Sequence, residues 1–403
     1  MTTDERVIFS IYLGLIAIWP IRYVVVRLIL RYTDRLTPAS PRWSNPVEPL
    51  VTVVIPAKDE EASLRGCVES VLAQTYRNME VLIVDDRSTD RTPEIARGLA
   101  AADSRVEVIS IDSLPPGWTG KTHGLHVASH RARGEWYWFV DADTRHDPAS
   151  LSVVMEYARS KNARLASLLP EMRCETFWER VVQPLAGIVL MQSFPLFRVN
   201  NDRDPTAFAN GQYILIEREA YRSAGGHAEV RDRFVEDIHL ARRVKRLGMP
   251  IRTAVARDLG STRMYTSLSG LTRGWARILY DALDRNPIRL ALKALDPLIF
   301  SQTAHIVFVA SGLGLLLGER GTFVTAMFVA AIFHHLAALL VLDLLYRESV
   351  RDRSSVLWYG LAGLVIDAIL FRAIRMCLTG RVDWRGTTYA PPSSGDGLAS
   401  KPS

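Results

Sequence analysis

Two stretches near the C-terminus most constrain what this chain can fold into. Pro297–Gly318 and Gly321–Leu342 each run for 22 residues without an Asp, Glu, Lys or Arg. About 20 apolar residues suffice for a helix to cross a bilayer. A buried core helix is the alternative, but two such runs in succession argue for spanning segments. Val356–Leu378 is a third candidate, interrupted by Asp367, Arg372 and Arg375. At the other end, Val7–Leu30 is mostly apolar, shortened by Pro20 and Arg22, and its flank Met1–Arg6 lacks a basic n-region and a small-residue cleavage site. That pattern reads as a signal anchor. Arg22, Arg27, Arg31 and Arg35 crowd its C-terminal side, so the positive-inside rule puts the following domain in the cytoplasm. The basic linker Arg347–Arg353 agrees. The basic tail Arg381–Tyr389 conflicts with an odd number of C-terminal spans, leaving either the third segment in the interface or the tail outside. The last dozen residues, rich in Pro, Ser and Gly, read as disordered, and Thr37–Pro49 reads as a linker.

A chain of 403 residues has room for two or three domains, or one domain beside a membrane part. Lys and Arg total 49 against 43 acids, a net charge of +6, and much of the positive charge flanks apolar stretches. This marks a membrane surface rather than a nucleic-acid partner. Cys67, Cys174 and Cys377 are scattered without CxxC spacing, which excludes a disulfide framework and a zinc site and fits a reducing compartment.

Between residues 50 and about 260, strand-like and helix-like patterns alternate, which predicts a doubly wound α/β domain. Leu50–Ile55, Val81–Val84 and Val106–Ile111 read as strands, and Ala62–Gln74 and Ile95–Ala101 as helices. The fourth strand, Trp136–Val140, is five bulky apolar residues in a row, the mark of a strand covered on both faces. Asp141 and Asp143 follow where it ends, one residue apart, and side chains at i and i+2 share one side of an extended chain. Such a pair can converge on a hard cation, or be an ordinary acidic turn. Gly120-Lys121-Thr122 imitates the end of a phosphate loop, but Pro115 stands where that loop needs Gly and no strand directly precedes it. No GxGxxG follows any strand. P-loop and dinucleotide readings are excluded.

What remains is carboxylates at strand ends and helix starts: Asp86 after the second strand, Asp141 and Asp143 after the fourth, and Glu236-Asp237 opening a helix over Ile238–Leu247. Singly, each is as well explained by a turn or by the helix dipole. Jointly and in order, Ile55-Pro56-Ala57-Lys58-Asp59-Glu60-Glu61, Asp85-Asp86-Arg87-Ser88-Thr89-Asp90, Asp141-Ala142-Asp143 and Glu236-Asp237 resemble the motifs of family 2 glycosyltransferases, which are inverting enzymes with the GT-A fold. The resemblance covers about residues 50–285. Pro116-Gly117-Trp118-Thr119-Gly120-Lys121, Ala209-Asn210-Gly211-Gln212-Tyr213 and Gly225-Gly226-His227 are similar to the membrane-anchored branch associated with carotenoid and hopanoid glycosylation, with ceramide glucosyltransferases more distant.

The resemblance implies a role for each position. Asp86 and Lys121 would hydrogen-bond the nucleotide, in a donor site with Pro56, Glu60 and Asp141. Asp141 and Asp143 would form the DXD element, Asp143 most directly on Mg²⁺ or Mn²⁺ bridging the diphosphate. Asp237 would be the general base, with Glu236 beside the acceptor and diphosphate. Asn210 and Gln212 would contact acceptor or donor sugar, or simply form a turn before the strand Tyr213–Ile216. The family's Gln/Arg-x-x-Arg-Trp motif is replaced by Leu271-Thr272-Arg273-Gly274-Trp275-Ala276-Arg277. Trp275 fits, Gly274 stands in place of the Arg, and Arg273 or Arg277 would substitute. Processive synthases use that motif to hold a growing chain, so its loss argues for adding one sugar. His227 reads as a solvated histidine in a mobile loop. Val181–Met191 is too apolar for a loop, yet Pro184 and Pro195 leave too few residues between them to span a bilayer. It reads either as a packed core helix or as an interfacial segment beside the active site.

The sequence therefore predicts an anchor over 1–36, a cytoplasmic catalytic domain over 50–285, a membrane region of two or three helices over 297–378, and a tail over 379–403. The expected reaction moves one sugar from a nucleotide-diphosphate sugar, UDP-sugars favoured, to a membrane lipid of isoprenoid, hopanoid, carotenoid or sphingolipid-like type. Transfer to a polyprenyl phosphate is the alternative, and a membrane scaffold retaining the fold is the non-enzymatic one.

Overall fold

The computed structural model describes residues 1–350, 353–384 and 387–389. The chain forms two compact units. One comprises Thr33–Arg173 and Ser193–Met264; the other comprises Met1–Tyr32, Cys174–Gln192 and the described part of Tyr265–Ser403.

The first unit is built on ten strands: β1 (Val51–Ala57), β2 (Met79–Asp86), β3 (Val106–Ile111), β4 (Trp136–Phe139), β5 (Thr144–His146), β6 (Leu165–Leu169), β7 (Glu171–Met172), β8 (Ile214–Glu217), β9 (Ile251–Val255) and β10 (Gly260–Thr262). Seven of them form one sheet in the order β3-β2-β1-β4-β8-β6-β9. Every residue of β2 is buried, as its apolar run requires, while β3 at the sheet edge exposes Glu107 and Ser110. The pairs β1–β2, β2–β3, β1–β4 and β6–β9 are parallel. Parallel register puts the carboxyl ends of β1, β2 and β4 at one edge, so the loops carrying Asp59–Glu61, Asp86–Asp90 and Asp141–Asp143 open on the same side. β8 departs from the expected parallel sheet: it runs antiparallel to both β4 and β6. A second small sheet, β5-β10-β7, lies just beyond the Asp143 turn in the chain.

The core of this unit centres on Trp138, fully buried, with Tyr213 and His146 each 4.9 Å from its ring. Burying such a large side chain contributes about 1.5–3 kcal/mol relative to exposure. The stretch Thr37–Pro49, expected as a linker, is tied down at Trp43, and the residues just before it are tied down as well. Leu36 N–H donates to the Val255 carbonyl and Val255 N–H to that of Asp34, both at 2.9 Å, while Trp43 N–H donates to Ser152 O at 2.9 Å. Leu36 and Trp43 pack on the core, so these apolar residues override the Pro-rich pattern around them.

The second unit is helical. Its helices are Thr3–Arg31, Phe177–Met191, Leu268–Ala282, Pro287–Pro297, Thr303–Leu316, Thr322–Ser349 and Tyr359–Thr379, with a π turn at Leu298–Gln302. Capping boxes start the first two, from Thr2 with Glu5 and Thr176 with Glu179. Gly380, at φ +66°, ends the last. Among the described residues, four segments are long and apolar enough to cross a membrane: Thr3–Arg31, Phe177–Val199, Pro287–Leu316 and Thr322–Ser349. Within the second, the helix runs through Pro184 but ends at Met191 after 15 residues, and the separate turn Leu196–Val199 follows Pro195. Val181, Val182, Ala186 and Val189 are buried, as in a packed helix. The third C-terminal candidate is not among the four. Its helix, Tyr359–Thr379, buries Ala362, Ile366, Ile369 and Leu370 against other helices of the unit. The tail begins as a hairpin of Val382–Trp384 with Thr387–Tyr389, and the stretch expected to be disordered lies outside the described residues.

Candidate active site

The sheet edge gathers a cluster around one ammonium. Lys121 is the second residue of the helix Gly120–Arg131, whose N-cap Thr119 accepts from Thr122 N–H. Its Nζ lies 2.7 Å from Asp141 Oδ1 and 2.7 Å from Glu236 Oε1. Glu236 and Asp237 open the helix Glu236–Arg246, where the dipole favours acids. Asp237 Oδ2 accepts from Gly211 N–H at 2.6 Å and Oδ1 from Ile238 N–H at 2.8 Å. Gly211 covers the cluster closely: a Cβ there would lie 3.0 Å from Lys121 Nζ and 3.1 Å from Asp237 Oδ2.

Burial and charge set the protonation states. Burial alone would push Lys121 down, but Asp141, Glu236 and Asp237 outweigh it and hold the ammonium above its ordinary range. Burial pushes Glu236 up against the opposing pull of Lys121. Burial and then the neighbouring Glu236 charge push Asp237 up to about 7. A carboxyl poised near neutrality can take a proton in one step and release it in the next.

Asp141 and Asp143 leave the end of β4 through a turn closed by Thr144, whose hydroxyl donates to Asp141 O at 2.7 Å. His146 Nε2 lies 2.9 Å from that hydroxyl, and burial, then Arg145, pushes the imidazole down to about 3. Among the described residues no group of three or more His, Cys, Asp or Glu could hold a metal alone. Magnesium and manganese take hard oxygens, and Mg²⁺ is usually held by one or two carboxylates with phosphates and water completing its shell. Asp141 and Asp143, oxygen donors one residue apart beyond the carboxyl end of β4, fit that partial role.

The other expected positions fall as follows. Asp86 lies against the start of the Lys121 helix, with its Oδ2 2.0 Å from where a Gly120 Cβ would be, and Arg87 grips it at 2.7 and 3.1 Å. Pro56 pairs with Val84 inside the sheet. Glu60 N–H donates to Thr92 Oγ1 at 2.7 Å and its carboxylate accepts from Ser63, bracing the loop after β1. Asn210 and Gln212 brace each other, Asn210 Nδ2 donating to Gln212 Oε1 at 3.0 Å and to Leu168 O at 3.2 Å. It is Gly211 between them that reaches the cluster. Trp275, Arg273 and Arg277 lie on the helix Leu268–Ala282 of the helical unit. There Trp275 is buried, Arg273 exposed, and the Arg277 guanidinium stands 4.4 Å from the Trp384 ring. Gly274 has a packing reason: a Cβ would meet the Tyr265 ring at 2.1 Å.

His227 corrects the sequence reading. It is 1% exposed, its Nδ1 lies 2.8 Å from Tyr221 Oη, and its ring packs edge-on against Phe139. Burial, then Lys121, pushes it down to about 3, so it is a neutral packing residue rather than a solvated one.

Residues 52–225 match the family described as glycosyl transferase family 2. Similar curated proteins are the 4,4'-diaponeurosporenoate glycosyltransferases of Staphylococcus haemolyticus (strain JCSC1435), 24% identical over 232 residues, and Staphylococcus aureus (strain USA300), 25% identical over 233. Each match takes in 57% of this chain and spans only 60% of the relative's own length. Among solved structures, the mannosyltransferase PcManGT from Pyrobaculum calidifontis, in complex with GDP-Man and Mn²⁺, shares the fold. Its TM-score is 0.51 at 17% identity, covering 92% of this chain and 98% of that one. By motif order, strand topology and this likeness, the chain carries a glycosyl transferase family 2 domain of the GT-A fold over residues 52–225.

Proposed function

We propose that the protein is a membrane glycosyltransferase that moves one sugar, with inversion, from a nucleotide-diphosphate sugar to a membrane lipid. The observation that carries this reading is the cluster of Lys121, Asp141, Glu236 and Asp237 at the carboxyl edge of the sheet. The similar staphylococcal proteins are named for transfer to a carotenoid acid, and the solved neighbour was captured with GDP-Man and Mn²⁺. Four apolar helices of spanning length keep a lipid acceptor and the enzyme in one phase.

Asp237 takes the proton of the acceptor hydroxyl as its oxygen bonds to the anomeric carbon and the bond from that carbon to the diphosphate breaks. Asp141 and Asp143 would hold a divalent cation, which supplies positive charge to the departing diphosphate. Asp86, at the mouth of the Lys121 helix, serves the nucleotide. Lys121 holds Asp141 and Glu236 in fixed relation. With Gly274 under the Tyr265 ring, the motif processive enzymes use is absent, which supports single addition.

The test is to incubate membranes containing the protein with UDP- and GDP-sugars and identify lipid products by mass spectrometry. A lipid carrying one added hexose, lost in Asp143→Ala or in excess chelator, is expected. No glycolipid with any nucleotide sugar, or full activity in Asp143→Ala, would reject the reading.

A further inference from the structure

The two threonines that open the Lys121 helix also grip a distant part of the chain. Thr119 and Thr122 are fully buried. Thr119 N–H donates to the Arg231 carbonyl at 2.8 Å, and Thr122 Oγ1 donates to the same oxygen at 2.7 Å. The two hydroxyls lie 2.9 Å apart, and Thr119 Oγ1 accepts from Thr122 N–H at 3.2 Å, so neither side chain is free to turn away. From Arg231 the chain makes one turn, closed by Arg233 N–H on Val230 O at 3.0 Å, and then delivers Glu236 and Asp237.

One carbonyl is therefore held from the helix that carries Lys121, and the chain leaving it carries both acids that Lys121 faces. Lys121 is the covalent neighbour of Thr122, so a change in the Thr122 bond shifts the ammonium relative to Glu236, now 2.7 Å away. We infer that Thr122 is a positioning residue for sugar transfer: through the Arg231 carbonyl, its hydroxyl fixes the separation between Lys121 and the Glu236-Asp237 pair. This rests on the assignment of Asp237 as general base. Valine has the shape of threonine without the hydroxyl, so Thr122→Val removes the side-chain half of the grip, leaves Thr119 N–H on the Arg231 carbonyl, and fills the same space.

The test compares Thr122→Val and Thr122→Ser with Tyr76→Phe, all in the full chain. Tyr76 is also fully buried, and its hydroxyl donates to a backbone carbonyl, that of Pro49, at 2.6 Å, ahead of β1 and so at the end of the sheet opposite the cluster. Expected is a kcat about 10- to 100-fold lower in Thr122→Val, the scale of a small misplacement of a catalytic group, with donor KM within about twofold. Thr122→Ser should restore kcat, and Tyr76→Phe should leave it unchanged at equal folded protein. Independently of activity, hydrogen exchange of the amides from Arg233 to Asp237 should quicken by about tenfold in Thr122→Val alone. Unchanged exchange there overturns the inference. So does a kcat that survives in Thr122→Val, or that falls equally in Tyr76→Phe. Wild-type protein without transfer activity would reject the proposed function on its own, and the exchange measurement would still decide whether the grip exists.

Discussion

Asp237 sits where folding and chemistry favour opposite charge states. Desolvation and the Glu236 charge raise its carboxyl from 3.8 to about 7, so it becomes a base only as pH rises through neutrality. Turnover should fall on the acid side of about pH 7, as a pH–kcat profile would show. Asp237→Asn should remove that limb and lower kcat about 10²–10⁴-fold with donor binding nearly unchanged. Stability moves the other way. A raised pKa favours the protonated fold, a contribution complete below the unfolded value near 3.8 and lost as pH rises through about 7. The Asn variant escapes that loss, so its thermal midpoint should exceed wild type at pH 8 and converge with it near pH 4. Gly211→Ala sets a methyl about 3 Å from both Lys121 Nζ and Asp237 Oδ2. It should cut turnover about tenfold or more while the domain still folds, a loss read from kcat at matched folded protein. The carboxylates at strand ends and helix starts were legible because position along an element is a sequence property. The partners of Lys121 were not, since no periodicity joins residues so far apart in the chain. Gly211 acts through its N–H and its lack of a side chain, which no residue pattern announces.

Strands covered on both faces, β1, β2 and β4, were readable as apolar runs. The reversal of β8 was not, because an apolar run carries no direction, and β5, β7 and β10 are too short to show a period. The turn Gly225-Gly226-His227 shows how an element can be recognised and still misread. Gly226 has φ +56°, and a Cβ there would lie 2.7 Å from the Tyr221 ring, whose hydroxyl accepts from His227 N–H at 3.1 Å. Only glycine lets the ring pass beneath the turn. Gly226→Ala should cost about 1–3 kcal/mol, seen as a lower thermal midpoint, with the folded fraction keeping its donor KM.

For the whole molecule, the long uncharged runs decided most. Outward residues such as Ile306, Val309, Leu313 and Leu316 remain 53–86% exposed, far more apolar surface than a chain surrounded by water tolerates. An alkaline wash of membranes should leave the protein in the pellet, with detergent alone bringing it into solution. The helix Tyr359–Thr379 shows the limit of the same signal, since a helix packed among helices is as apolar as one facing lipid.

The stretch from Asp34 to Trp43 has a practical consequence. β9 ends the seven-stranded sheet, and Asp34 and Leu36 satisfy both hydrogen-bonding groups of Val255 as an added strand would. A shortened protein starting at residue 50 would keep every candidate catalytic residue of the sheet domain yet bare that rim. Rims with unpaired N–H and C=O groups recruit other chains. In detergent, such a truncation should self-associate on concentration, whereas one starting at Thr33 should remain dispersed to higher concentration, a difference light scattering would register.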